Sequence, residues 1–164
     1  MLTKKIEKIL NDQIVKEGYS SNLYLAMASW ADTEGFAGIA QWLFAQAAEE
    51  LEHMMKFVHF INERGGHAII PAFEQPPAKF DSIKKLFDQV LKHEQYISGS
   101  INEIAALTQK ENDFATQNWI QWFITEQVEE EYSVQTLIDK LNLLGDKNMY
   151  MFDRDIMTLR GAEE

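Results

Sequence analysis

Apolar residues recur every three or four positions over most of the chain, a spacing that predicts helices rather than strands. In the first segment Ile6, Leu10, Tyr24 and Ala31 share a face, with Thr3 placed to cap the start and Gly35 to end the run. A helix over about 4–34 follows. A second, over about 36–64, carries Leu43, Ala47, Met54, Phe57 and Ile61 and stops at Gly65-Gly66, as glycine past a helix terminus commonly dictates. The stretch to about Phe80 holds Pro71, Pro76 and Pro77 and shows no helical period. Asp81 or Ser82 then caps a third helix, about 82–110, with Ile83, Phe87, Val90, Ile97, Ile101 and Ile104 in register. Glu111-Asn112-Asp113 makes a tight link to a fourth, about 113–144, bearing Ile120, Phe123, Val134, Leu137 and Leu141. A short amphipathic segment, about 147–159, ends the pattern with Met149, Phe152, Ile156 and Met157.

Connection lengths predict the topology. Short turns make the first and second helices antiparallel, and likewise the third and fourth. The proline-bearing link is long enough to cross the whole bundle. The expected fold is all-α: a four-helix bundle with one long crossover and a short fifth helix, forming a single domain over 1–164. No internal repeat or low-complexity tract interrupts it.

What breaks the apolar stripes is chemically informative. The first stripe runs Leu10, Glu17, Tyr24, Ala31, and the second Leu43, Ala47, Glu50, Met54, Phe57, with His53 one turn from Glu50. The third runs Val90, Glu94, Ile97, Ile101, and the fourth Phe123, Gln127, Glu130, Val134, Leu137. Each long helix thus points a glutamate inward near its midpoint, and midpoints meet at one level in such a bundle. A single such glutamate is most simply a surface residue; coincidence on every helix is not. Buried carboxylates need protonation, a cationic side chain or a metal, and no Lys or Arg occupies these stripe positions. Two divalent cations balance Glu17, Glu50, Glu94 and Glu130 with His53 neutral. Oxygen ligands with one imidazole suit manganese, iron or zinc. Two such cations about 3.5–4 Å apart can hold both ends of a small ligand such as O₂ or peroxide.

The constellation Glu17, Tyr24, Glu50-x-x-His53, Glu94 and Gln127-x-x-Glu130 resembles the ferroxidase centre of the ferritins, over nearly the whole chain. The resemblance implies one iron on Glu17, Glu50 and His53, a second on Glu50, Glu94 and Glu130, and Gln127 close by. It further implies that Fe(II) is oxidised by O₂ or H₂O₂ and stored as ferric oxyhydroxide in a hollow homo-oligomeric cage of 24 subunits. Glu49, Glu126 and Glu129 read from spacing alone as a solvated flank; in bacterial non-haem ferritins the same pattern resembles a third iron site. Trp122 reads as core packing. In the family, residues matching Tyr24 and Trp122 can donate electrons during oxidation. His59, His67 and His93 are not expected to be ligands.

Departures from related groups narrow the resemblance. A second Glu-x-x-His on the fourth helix, common in ferritin-like di-iron proteins, is replaced here by Gln127 and Glu130. Residue 52 is Glu rather than the methionine with which bacterioferritins bind haem, so no haem is expected. The absence of cysteine excludes the four-cysteine iron site of rubrerythrins, as well as disulfides and thiolate catalysis.

Charge and composition bound the rest. A hydrophobic fraction of 46% excludes a disordered chain, and a net charge of −11 disfavours nucleic acid as a partner. The longest charge-free runs, Gly18–Ala31 and Gly35–Ala48, have fourteen residues each, too short to span a membrane. Met1–Lys8 lacks a signal peptide's apolar stretch, so a cytoplasmic protein is expected. The apolar face of the fifth helix is expected to lie exposed on a single chain and so to form a subunit contact, which the resemblance puts at a fourfold axis. Two other classes stay open: a helical interaction protein, which leaves the buried carboxylates unexplained, and a di-metal oxidase without storage, which leaves the fifth helix unexplained.

Overall fold

The computed structural model describes residues 1–160. Residues 161–164 of the expected domain lie outside the described residues. The elements are α1 (Lys4–Thr33), α2 (Ala37–Glu63), α3 (Ile83–Lys110), α4 (Phe114–Leu144) and α5 (Met149–Arg160), with a short 3₁₀ turn, Asp146–Asn148, before α5. Where boundaries differ from the expected ones they move by one or two residues, because Phe36, Ser82 and Asp113 are caps rather than first helical residues and because the start of the last segment winds as 3₁₀.

Local chemistry explains most helix ends. The Thr3 hydroxyl accepts the Ile6 N–H at 3.3 Å, Ser82 accepts the Lys85 N–H at 3.2 Å, and Asp113 accepts the Thr116 N–H at 3.1 Å. Arg64, at the end of α2, donates to both Asp113 and Thr116, tying that terminus to the start of α4. Gly65 turns left-handed at φ 75°, and Asn112 does the same at φ 55° in the tight α3–α4 link. α2 has no side-chain cap of its own. Its missing acceptor comes from α5, where the Asp153 carboxylate takes the Ile39 N–H at 2.9 Å.

α1 pairs with α2, and α3 with α4, while residues 64–82 carry the chain along the bundle so that α2 and α3 run parallel. The crossover is pinned to α1 by Asn11, which donates to the His67 carbonyl and accepts the Ile69 N–H. Phe73 seats directly on Gly18, where a β-carbon would stand 2.3 Å from its ring. α2 and α4 meet through aromatic rings, including Phe60 stacked on Trp119 at 3.9 Å.

Two apolar clusters result. One is built around Ile6, Leu10, Phe57, Ile101 and Phe123, the other around Met27, Leu43, Phe87, Leu137 and Phe152. Between them lies a buried polar belt that includes Gln13, Glu17, Gln46, Glu50, His53, Glu94, Ser100, Gln127 and Glu130.

The fifth helix corrects one expectation. Its apolar face is not exposed on the single chain: Phe152 and Ile156 are buried, and Met149 and Met157 pack beside them against the second cluster. Phe152 meets the edge of Phe87 at 5.8 Å. The docking needs a glycine opposite it, since a β-carbon on Gly38 would stand 1.8 Å from the Asp153 carbonyl. Tyr150, Met151 and Leu143 remain exposed at this end. No helix among the described residues is long and apolar enough to cross a membrane.

Candidate metal centre

The stripe residues arrive where helical periodicity places them. Glu17, Glu50, His53, Glu94, Gln127 and Glu130 are all at most 7% exposed, and each long helix contributes at least one. Ligand atoms of Glu17, Glu50 and His53 lie within 4.8 Å of one another. His53 Nδ1 stands 3.6 Å from Glu50 Oε2.

Burial raises these acids. Glu17 is pushed up to about 7 by desolvation, with Glu94 adding to the effect and hydrogen bonds from Gln13 and Glu50 resisting it. Glu50 rises well above the ordinary carboxylate range through burial, then through the charges of Glu94, Glu17 and Glu130. Glu130 rises the same way, through burial and then Glu94 and Glu49. Glu94 is raised by burial against the opposing bonds from Tyr24 and Gln127. His53 is lowered to about 4 by burial and by Lys56, so near neutrality it is an uncharged imidazole with a free electron pair to offer. Among the described residues no Lys or Arg forms an ion pair with Glu17, Glu50, Glu94 or Glu130.

Glutamine side chains orient three of the four carboxylates. Gln13 Nε2 donates to Glu17 Oε1 at 2.8 Å, Gln46 Nε2 to Glu130 Oε2 at 2.9 Å, and Gln127 Nε2 to Glu94 Oε2 at 3.1 Å. The Tyr24 hydroxyl donates to the other Glu94 oxygen. Ser100 donates to the Gln13 carbonyl and itself receives Lys16. Among the described residues two buried oxygens, Glu17 Oε2 and Glu50 Oε2, take no hydrogen bond from any group outside the Glu17–Glu50 pair. An orphaned buried carboxylate oxygen costs about 1–3 kcal/mol or more. Together Glu17, Glu50 and the neutral His53 imidazole offer a hard-oxygen and nitrogen donor set that fits a divalent iron, manganese or zinc ion.

A 42% identical protein of Haemophilus influenzae, named "Probable bacterial non-heme ferritin-like protein", aligns over 97% of this chain and 98% of its own length. Residues 7–144 match the ferritin-like domain family. The chain belongs to the ferritin family. A bacterial non-haem ferritin of Campylobacter jejuni is 37% identical over 97% of this chain and 96% of its own. An open-pore ferritin from the archaeon Archaeoglobus fulgidus superposes with a TM-score of 0.93 at 39% identity, over 94% of this chain and 96% of that one.

The other expected residues are distributed unevenly around this ferritin's buried centre. Glu49 and Glu126 form a second group with His53, again within 4.8 Å, so one imidazole borders both groups. Glu126 is raised by partial burial and by Glu49 and Glu129. Glu129 is exposed and lines the same outer pocket, of about 120 Å³, without joining the tight trio. Trp122 is not core packing. It is 41% exposed, edge-on to His53 at 5.4 Å, with Lys56 Nζ 3.7 Å from its ring centroid. His59 and His67 are exposed, and His93 bonds Ser20 Oγ at 2.7 Å with its ring edge-on to Tyr24.

Gln13, Gln46, Ser100 and Arg160 also reach this region, although their place in it was not expected from the sequence. The glutamines carried a usable signal: Gln13 precedes Glu17, and Gln46 precedes Glu50, by one helical turn on a buried face. Ser100 and Arg160 carried none, because their partners lie on other helices.

Proposed function

We propose that this chain is an iron-storage ferritin of the bacterial non-haem type, oxidising Fe(II) in the buried polar belt. The observation that carries the reading is the buried group Glu17, Glu50 and neutral His53, which among the described residues no Lys or Arg neutralises. Fe(II) is the substrate. Glu17, Glu50 and His53 bind one ion, Glu50, Glu94 and Glu130 a second, and Glu50 bridges them. Each pair of Fe(II) gives up two electrons; O₂ with two protons becomes H₂O₂, or H₂O₂ with two protons becomes two waters. Glu94 is already held by Tyr24 and Gln127, and Glu130 by Gln46, so the second ion meets carboxylates fixed in orientation. Tyr24 donates its hydroxyl hydrogen to Glu94, which gives that carboxylate a place in accepting the proton if the phenol supplies an electron. Trp122, in contact with His53, is the second aromatic electron source.

Glu49, Glu126 and Glu129 form an outer, wetter site for a third ion. Twenty-four copies of the chain enclose a cavity for the ferric mineral, in the cytoplasm. The test combines Fe(II) oxidation followed with an oxygen electrode and sizing of the iron-loaded particle. Rapid oxidation of two Fe(II) per subunit within a large, iron-retaining shell is expected. A small oligomer with rapid oxidation would leave a di-metal oxidase, and a shell without oxidation would remove the enzyme.

A further inference from the structure

Arg160, the last residue of α5, reaches back over the flank of the bundle into the outer acidic pocket. Its guanidinium donates to the side-chain carbonyl of Gln46 and to the Glu49 carboxylate, and lies 5.8 Å from the Trp42 ring centroid. Gln46 in turn donates its amide N–H to Glu130. A glutamine whose carbonyl is held by a guanidinium must turn its NH₂ the other way. One cation therefore orients two carboxylates, the outer Glu49 directly and the inner Glu130 through Gln46. The forked guanidinium can serve amide and carboxylate together, and it carries a fixed positive charge.

We propose that Arg160 is a tethered cation that competes with a metal ion for the outer pocket, releasing Glu49 and its hold on Gln46 when the pocket fills. The inference rests on the outer group being a metal site, as proposed above. Arg160 supplies positive charge at Glu49, while Glu126, crowded by Glu49 and Glu129, feels Lys56. An arriving ion replaces one positive charge with a stronger one, so the acidic cluster is compensated before and after. The pocket of about 120 Å³ leaves room for an ion with some of its water. Occupancy of the outer site is thereby coupled to the last turn of α5 and to the aim of Glu130.

Calorimetric titration of the intact, iron-free assembly with Co²⁺ tests this. Arg160→Gln should tighten the third equivalent about tenfold, the weight of one charge-assisted pair. Arg160→Lys, which keeps a competing charge, should return it to near the wild-type value. Arg154→Gln removes the same charge from α5, where Arg154 is exposed and paired with Asp155, and should leave the third equivalent unmoved. An unchanged third equivalent in Arg160→Gln, failure of lysine to restore it, or an equal shift in Arg154→Gln overturns the competition. If neither wild type nor Arg160→Gln takes up a third ion, the outer site and the competition fall together. Absence of tight Co²⁺ binding altogether would remove the proposed function as well.

Discussion

Asp153 of α5 accepts the backbone N–H of Ile39 in the first turn of α2, at 2.9 Å. The last helix thus completes the hydrogen bonding of the second. Replacing Asp153 with Ala should cost about 1 kcal/mol, as loss of a helix cap does. Gly38→Ala should cost about 1–3 kcal/mol by overpacking, because the clash is with backbone that cannot rotate away. Denaturant midpoints measure both, and limited proteolysis should cut near Asp146–Asn148 faster in each variant. Equal protease resistance would mean that α5 docks without these contacts.

Glu50→Ala should slow the first oxidation of Fe(II) by at least about a hundredfold, since even outer-shell changes around metals cost 10–100-fold. The same change removes a carboxylate raised by burial and by three like-charged neighbours, one of whose oxygens takes no hydrogen bond from outside the Glu17–Glu50 pair. Its metal-free thermal midpoint should therefore be no lower than wild type. Stopped-flow absorbance and calorimetry read the two effects separately. Wild-type oxidation with intact helicity would dismiss Glu50 as the bridge.

The inner and outer groups should separate kinetically. Changing Glu49, Glu126 and Glu129 together to Gln should largely preserve oxidation of the first two Fe(II) per subunit. Oxygen consumed per iron and the rate of later turnovers should change. Glu126 is partly exposed and Glu129 exposed, so their carboxylates stay hydrated and hold a cation more weakly than the buried set. Complete loss of the first phase would place these residues in the primary site, as their shared border at His53 allows.

Stability should depend on the Asp113 cap in a particular pH window. Burial alone would raise this carboxyl, but the Thr116 hydroxyl and N–H and the Arg64 guanidinium outweigh it and hold it below the ordinary value of 3.8. The folded state thus favours the ionised form, and the contribution is present above 3.8 and lost as pH falls through the lower folded value. The stability difference between wild type and Asp113→Asn, from urea midpoints, should stay level near neutrality and shrink once pH falls below that range. A difference unchanged into that range would show that the charge at Asp113 contributes nothing.

Helical periodicity alone determined that the four stripe glutamates face inward. Glu17, Glu50, Glu94 and Glu130 interrupt apolar stripes at similar depth, and a rotation of 100° per residue fixes their direction without knowledge of any neighbour. The cap at Thr3 was legible for the same reason, being a contact within one turn, and the third helix's cap was legible as Asp81 or Ser82, of which Ser82 makes the bond. Arg64 bridging to Asp113 was not, because the partners meet only after the crossover has brought α2 and α4 together. The docking of α5 depended on the apolar cluster that takes in Phe152 and Ile156 and on the missing β-carbon of Gly38 opposite Asp153. An amphipathic pattern records that a face is apolar, not whether it is covered by its own chain or by another. Trp122 shows the converse: its spacing suits the core, yet its place on α4 turns it to the rim, beside His53 and under Lys56. The aim of Gln46 at Glu130 likewise belongs to tertiary structure, since an amide has two ends and its partners, Glu130 and Arg160, lie on other helices.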